Sequence, residues 1–398
     1  MTRDANTTGL LLARPASCVL RPVCSLMLGK LPEFGLERYF ARWEFTAPYL
    51  LCVSDIEGLK LTELLSLADE ESRNLWSGLS LGYTESTGLP ILRREIATLY
   101  AGVTPDDVIT FAGAEEGILV ALSSLLAAGD HAIVTWPCYQ SLEEIARGAG
   151  ADVSRWELRE SHRWMPDLDE LRGLIRPNTR LIVVNFPHNP TGVLPDAGTW
   201  NDIIAIASQC GAWLFSDEVY RGLEYDPADR LPTAVDSYDR GLSLGVMSKA
   251  YALAGLRIGW IACRDAALRK RMATRKDWTT ICSSAPSEVL ALMGLRARDR
   301  ILQRNFDLIR GNLVHLDRFF ARHADRMQWE KPRAGCIAFP RLEGEEPIDA
   351  FSARLVAQEG VLLLPGTTYG HSGNNFRIGF GRRNMPEALE RLERFMPA

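Results

Sequence analysis

Lys249 stands in the run Ser248-Lys249-Ala250-Tyr251-Ala252-Leu253-Ala254-Gly255-Leu256-Arg257, which is small and largely apolar and ends on an arginine eight positions away. Desolvation disfavours an ammonium ion, so a lysine among such neighbours is biased toward the neutral amine, the form that attacks a carbonyl and makes a Schiff base. A lysine snorkelling from a helix start has the same local sequence, so the surrounding chemistry has to decide. Asp217 follows the apolar run 212–216, where a carboxylate is costly unless it meets a cation or hydrogen bonds; capping a helix is its structural alternative. Asn189 lies in Pro187-His188-Asn189-Pro190-Thr191-Gly192, where its amide can reach a phenolic oxygen or simply build an Asx turn.

Groups of this kind need a scaffold that brings them together. Between residues 75 and 300, short β-branched runs alternate with helical patterns, which predicts a parallel sheet with helices on its faces. Strands are expected at 108–111, 131–135, 180–186, 212–216, 242–247 and 257–262, and helices at 116–127, 142–148 and 199–210 among others. Active groups in such folds sit just beyond the carboxyl ends of strands, where Asn189, Asp217 and Lys249 all fall. After residue 301 a long amphipathic helix to about 324, a strand at 336–340, a helix at 347–359, a strand at 361–364 and a closing strand and helix from Asn375 predict a smaller α+β domain. The expected division is a flexible extension at 1–30, an arm at 31–68 that lies with the small domain or reaches across a dimer, a large domain at 69–300 and the small domain at 301–398.

With 46% hydrophobic residues in 398, the chain can bury a large core. Its net charge of -5, with charges scattered and no basic stripe, argues against nucleic acid as a partner. The eight cysteines form no CxxC pair and no metal-ligand spacing with the six histidines, which predicts no metal site and a reducing, cytoplasmic setting. No apolar run is long enough for a bilayer. The patch at 9–13 is short and followed by arginines, a poor secretory signal, and Met27 is a possible alternative start.

Taken in order, Tyr83-Thr84-Glu85-Ser86-Thr87-Gly88, Gly113-Ala114-Glu115, Tyr139, residues 185–192, Asp217-Glu218-Val219-Tyr220, Ser248-Lys249, Arg257 and Phe376-Arg377 resemble the class I and II aminotransferases. These are pyridoxal-phosphate enzymes of the aspartate-aminotransferase type, fold type I, and the resemblance covers nearly everything after Leu31. It implies that Lys249 bonds the cofactor as a Schiff base and later moves the proton at Cα. By the same resemblance Asp217 keeps the pyridine nitrogen protonated, Asn189 and Tyr220 bond the phenolic oxygen, and Tyr139, otherwise a core aromatic, stacks on the ring. The phosphate falls to the helix entry at Gly113, Ala114 and Glu115, to Ser248, and to Arg257. Tyr83 matches a tyrosine that reaches the phosphate from a neighbouring subunit, which implies a homodimer with shared active sites. Arg377, taken alone a candidate for a surface salt bridge, matches the clamp on the substrate α-carboxylate and makes an α-amino acid the substrate class. Val246 departs from the pattern, since many relatives place a serine there.

The fate of the resulting carbanion has to come from elsewhere. The segment 31–57, with Trp43-Glu44-Phe45 and Ser54-Asp55-Ile56-Glu57, resembles the branch that contains the capreomycidine synthases and the arginine-oxidising pyridoxal enzymes. In that branch acidic residues near the N-terminus face a guanidinium; Glu44 is the leading match, with Asp55 and Glu37 behind it. The structural alternative is that Glu33, Glu37 and Glu44 form the solvated face of an amphipathic helix. The expectation is therefore β- or γ-elimination, substitution or cyclisation of a cationic amino acid, with hydroxyarginine or S-adenosylmethionine as examples, in specialised metabolism. The alternative is an ordinary aminotransferase that exchanges an amino group with a 2-oxo acid. A pyridoxal-binding regulator is disfavoured, because no DNA-binding module accompanies the motifs.

Overall fold

The computed structural model describes residues 31–396, so the expected extension at 1–30, with Met27, lies outside the described residues. Strand β1 (Tyr49–Leu50) belongs to the N-terminal segment. Seven strands then make the central sheet: β2 (Val108–Phe111), β3 (His131–Trp136), β4 (Asp152–Glu157), β5 (Thr179–Asn185), β6 (Trp213–Asp217), β7 (Gly241–Val246) and β8 (Gly259–Cys263). Their order is β2-β8-β7-β6-β5-β3-β4. All neighbours are parallel except at β8, which runs antiparallel to both β2 and β7.

The central strands are buried on both faces, which is why they appear as nearly continuous apolar runs. On β5, Leu181 and Val183 join one apolar cluster while Ile182 and Val184 join the other, following the two-residue period of a strand. Helices such as Ala114–Leu125, Gln140–Gly148 and Ala197–Cys210 cover the sheet. Strand β4 escapes a search for apolar runs because it is an edge strand: Val153 and Trp156 are buried, while Asp152 and Arg155 face outward.

A second correction falls between β7 and β8. Residue 257 belongs to no strand; Arg257 follows the 3-10 turn Ala254–Leu256 in the left-handed region at φ 51°, and β8 starts two residues later. The twelve residues between β7 and β8 hold this turn and no α-helix to lie across the sheet, so the chain doubles back and β8 is antiparallel. Lys249 sits in this hairpin-like connection.

The remaining strands are short: β9 (Met327–Gln328), β10 (Ile337–Ala338), β11 (Arg341–Leu342), β12 (Val361–Leu362), β13 (Leu364–Pro365) and β14 (Phe376–Gly379). Strand β14 is the centre of a three-stranded sheet with β10 and β13, and it carries Arg377. The N-terminal segment packs onto this part of the same chain. Strand β1 pairs with β12, and the Tyr39 hydroxyl of the helix Gly35–Trp43 donates to Leu363 O at 2.6 Å. Among the described residues no helix is long and apolar enough to cross a membrane, and no cluster of three or more His, Cys, Asp or Glu could hold a metal ion.

Candidate active site

Asn185 ends β5, Asp217 ends β6, Val246 ends β7 and Gly113 follows β2, so these ends converge on one edge of the sheet. The N-terminal segment and β14 close that edge into a cleft of about 370 Å³. It is lined by Ala114, Glu115, Tyr139, Asn189, Asp217, Tyr220, Ser248, Lys249, Arg257 and Arg377, and also by Glu37, Glu44 and Asp55. The sequence scatters these groups over some 340 positions, and the fold brings them to one surface.

At one end Gly113 caps the helix Ala114–Leu125 with φ 86°. The positive φ favours glycine, and a side chain here would displace the Arg257 guanidinium from the helix entry. The first N–H groups of a helix lack intrahelical partners and carry its positive dipole end, and Arg257 adds a cation beside them. Among the described residues the only hydrogen bond of that guanidinium is a long one, 3.4 Å, to Ala254 O. Helix entry and arginine together make a cradle for an anion such as a phosphate. Val246 lines the cleft with an apolar side chain and contributes no donor to it; Ser248 offers a hydroxyl.

Deeper in the cleft, Asp217 is 5% exposed, and burial pushes its carboxyl up to about 7, against the pull of the Val219 N–H at 3.2 Å and the charge of Lys249. Such a group is poised to become a carboxylate when a basic nitrogen approaches. A testable consequence follows for the cofactor-free protein. The folded pKa lies above the unfolded value, so the folded state keeps a proton that the unfolded chain has already lost. The stability contribution is present below about pH 4 and is lost as pH rises toward 7. Wild type should therefore lose stability relative to Asp217→Asn by up to about 1.4 kcal/mol per pH unit across that window, read by chemical denaturation at several pH values. A pH-independent difference between the two proteins would contradict this.

Lys249 is half-buried, and burial pulls its amine below the ordinary lysine range; Asp55 and Asp217 oppose that pull, and Arg377 adds to it. The Lys249 Nζ donates to Ser54 Oγ at 2.9 Å. The Tyr220 hydroxyl donates to Ser54 O at 2.9 Å. Asn189 is set by Asn185, whose side-chain oxygen accepts the Asn189 N–H at 2.7 Å and whose Nδ2 donates to Asp217 O at 2.9 Å. The Asn189 amide oxygen is taken by Tyr369 Oη at 3.0 Å and Arg377 Nη1 at 3.1 Å, which leaves its NH2 for another acceptor.

Arg377 is 1% exposed. Its Nε donates to Cys52 O at 2.8 Å and its Nη1 to Tyr369 Oη at 2.6 Å, while Nη2 is buried with no hydrogen-bond partner. A buried guanidinium nitrogen left unpaired is costly, and a carboxylate is the anion whose geometry satisfies it.

The N-terminal acids differ from one another. Glu37 accepts from the Tyr139 hydroxyl at 3.0 Å, and the Tyr139 ring lies 5.2 Å from that of Phe34. Asp55 is held by Arg382 through both oxygens, at 2.9 and 3.1 Å. No ion pair or side-chain hydrogen bond engages the Glu44 carboxylate among the described residues, and its pKa is raised by burial and then by Asp55 and Glu37. Glu33, before the helix, and Glu37, on it, are exposed as a solvated face would have them, whereas Glu44, which caps the helix end, is half-buried. Glu115, at the helix entry, is also pushed up to about 7 by burial. Tyr83 stands apart, 91% exposed and outside this cleft in the single chain.

Ser54, Asn185 and Tyr369 contribute to the site although the sequence assigns them no role. Asn185 and Ser54 have a signal of a kind, since each ends or adjoins a stretch already marked for chemistry. Tyr369, between glycines and threonines, has none.

The cleft therefore fits a molecule with an anionic end, a basic ring nitrogen and a carbonyl, next to an amino acid bearing a carboxylate. Comparison with known proteins agrees with that chemistry. Residues 48–392 match the model of the family described as aminotransferase class I and II, and the chain belongs to that family. It is a pyridoxal-phosphate-dependent enzyme of aspartate-aminotransferase-like fold, and its substrate class is the amino acids. It is 33% identical over 274 residues to capreomycidine synthase from Streptomyces vinaceus, covering 69% of each chain. Among solved structures it resembles a PLP-dependent aminotransferase from Streptococcus suis, with TM-score 0.87, 33% identity and coverage of 92% of this chain and 98% of that one. It also resembles the PLP-dependent cyclase OrfR, with TM-score 0.84, 28% identity and coverage of 92% and 97%.

Proposed function

We propose that the enzyme eliminates, substitutes or cyclises a cationic α-amino acid, with Lys249 as the lysine that bonds the cofactor and shuttles the proton at Cα. The chemistry supplied by bound pyridoxal phosphate is an electron sink for that carbon. Arg257, Ser248 and the helix entry at Gly113, Ala114 and Glu115 would hold the phosphate end, and Asp217 would serve the ring nitrogen as a carboxylate. The NH2 of Asn189 would bond the phenolic oxygen, and Tyr220, bound to Ser54, would have to release that contact to share the task. Tyr139 would pack against the ring. Arg377 takes the substrate carboxylate through Nη2 and orients the bond to be broken.

One observation carries the substrate class: the cleft that ends in the buried Arg377 also carries the unpaired, acid-crowded Glu44. A guanidinium or similar cation placed there relieves the repulsion among Glu44, Asp55 and Glu37. Capreomycidine synthase and the cyclase OrfR, as relatives, favour a ring-closing or eliminating fate over simple exchange. Specificity tests the role of Glu44. Glu44→Gln should raise KM for a guanidinium amino acid such as hydroxyarginine about five- to tenfold while leaving neutral amino acids unchanged, a modest effect because the carboxylate is only half-buried. Equal losses on both kinds of substrate would remove the case for a cationic side chain.

Ordinary transamination is the second reading, favoured by the close structural likeness to the Streptococcus suis aminotransferase. The proposed assembly is a homodimer. Tyr83, Leu81, Trp278 and Ile281 are large exposed side chains that a partner would cover, with Tyr83 reaching the partner's phosphate end.

A further inference from the structure

Ser54 lies where three groups of the cleft meet one strap of chain, residues 51–57. Lys249 Nζ donates to its hydroxyl at 2.9 Å, and the Tyr220 hydroxyl donates to its carbonyl at 2.9 Å. The Cys336 thiol approaches the same carbonyl at 3.6 Å, and two residues earlier the Cys52 carbonyl accepts from Arg377 Nε at 2.8 Å. The other side of the strap is pinned to the end of β14: Gly379 N donates to Leu51 O at 3.1 Å, and Glu57 N donates to Gly381 O at 2.8 Å. Side chains at Gly379 or Gly381 would collide with the strap backbone, so glycine permits the close packing.

We propose that Ser54 is a positioning residue for the reactive amine: its hydroxyl holds the Lys249 nitrogen at the reacting face whenever that nitrogen is not bonded to the cofactor, and its strap fixes the spacing between the amine and Arg377. The proposal rests on reading Lys249 as the cofactor-bonding lysine. The charged and titratable groups around the amine are Asp55 on the strap, Glu44 at the helix end, Asp217 at the end of β6, Arg377 on β14, Tyr220 and Cys336. Asp55 is occupied by Arg382 and is not the amine's hydrogen-bond partner. A carboxylate partner would lock the lysine as an ammonium ion. A hydroxyl satisfies the hydrogen bond without bringing charge, so burial still pulls the amine below the ordinary lysine range. With Ser54 truncated, the nitrogen has no hydrogen-bond partner among the described residues.

The test follows pyridoxal phosphate capture by cofactor-free wild type, Ser54→Ala and Ser54→Thr as a function of pH. The adduct is trapped with borohydride and located by peptide mass spectrometry. Steady-state kinetics of the loaded enzymes run alongside. In the alanine variant, capture at Lys249 should slow about tenfold and its pH midpoint should fall by about one unit, because the ammonium loses an acceptor. Its kcat should fall by a similar factor at unchanged KM, and threonine should restore all three. An alanine variant indistinguishable from wild type, or a threonine variant as impaired as the alanine one, overturns the role of Ser54. An adduct on the other buried lysine, Lys276, overturns the reading of Lys249 instead.

Discussion

Replacing Lys249 with alanine is expected to abolish the borohydride-stable cofactor adduct and to cut kcat by about 10³- to 10⁴-fold, since one side chain serves both as the covalent attachment and as the proton carrier. The fold should survive, because the side chain makes a single hydrogen bond, to Ser54. The neighbouring Asp217 should become easier to protonate once the opposing charge is gone, since Lys249 is one of the influences holding its pKa down. Circular dichroism and thermal melting separate loss of chemistry from loss of structure. A variant that still carries a reducible adduct in the cleft would place the attachment on another residue.

Arg377→Ala is expected to have the second-largest effect. The guanidinium is buried, bonds Cys52 O, Asn189 and Tyr369, keeps Nη2 unpaired, and belongs to a residue that lines the cleft. Losing a charge-assisted contact of this kind should raise KM for the amino acid by about 10- to 100-fold, with affinity for the cofactor nearly unchanged. Some stability should be lost as well, because the Cys52 carbonyl is left without its donor. Equal losses of amino-acid and cofactor affinity would mean that the carboxylate is bound elsewhere.

The cofactor end of the cleft is legible in the sequence because its groups occupy the ends of strands that are apolar on both faces, and an apolar run followed by Asp217 or by the Asn189 turn marks such an end. What surrounds those groups is less legible. Ser54 and Lys249 are 195 residues apart, and Tyr369 and Asn189 are 180 apart, so only tertiary closure pairs them. Tyr220 shows the same limit. Its place in the motif suggests the cofactor's phenolic oxygen as its partner, yet the Ser54 carbonyl of the strap 51–57 accepts its hydrogen bond. The edge strand β4 and the antiparallel turn into β8 are hidden for local reasons, mostly polar residues in the first and a connection without an α-helix in the second. The acids of the N-terminal segment are visible as a charge pattern, but only the fold distinguishes Asp55, bound by Arg382, from Glu44, which no cation holds.

The most direct test of the reaction is a product balance by mass spectrometry for the loaded enzyme, supplied with hydroxyarginine, S-adenosylmethionine or a neutral amino acid, each with and without a 2-oxo acid. A cationic substrate should lose water or a thioether without any acceptor, giving an eliminated or cyclised product. Conversion that requires the 2-oxo acid and yields one new amino acid for each one consumed would contradict the account and establish transamination.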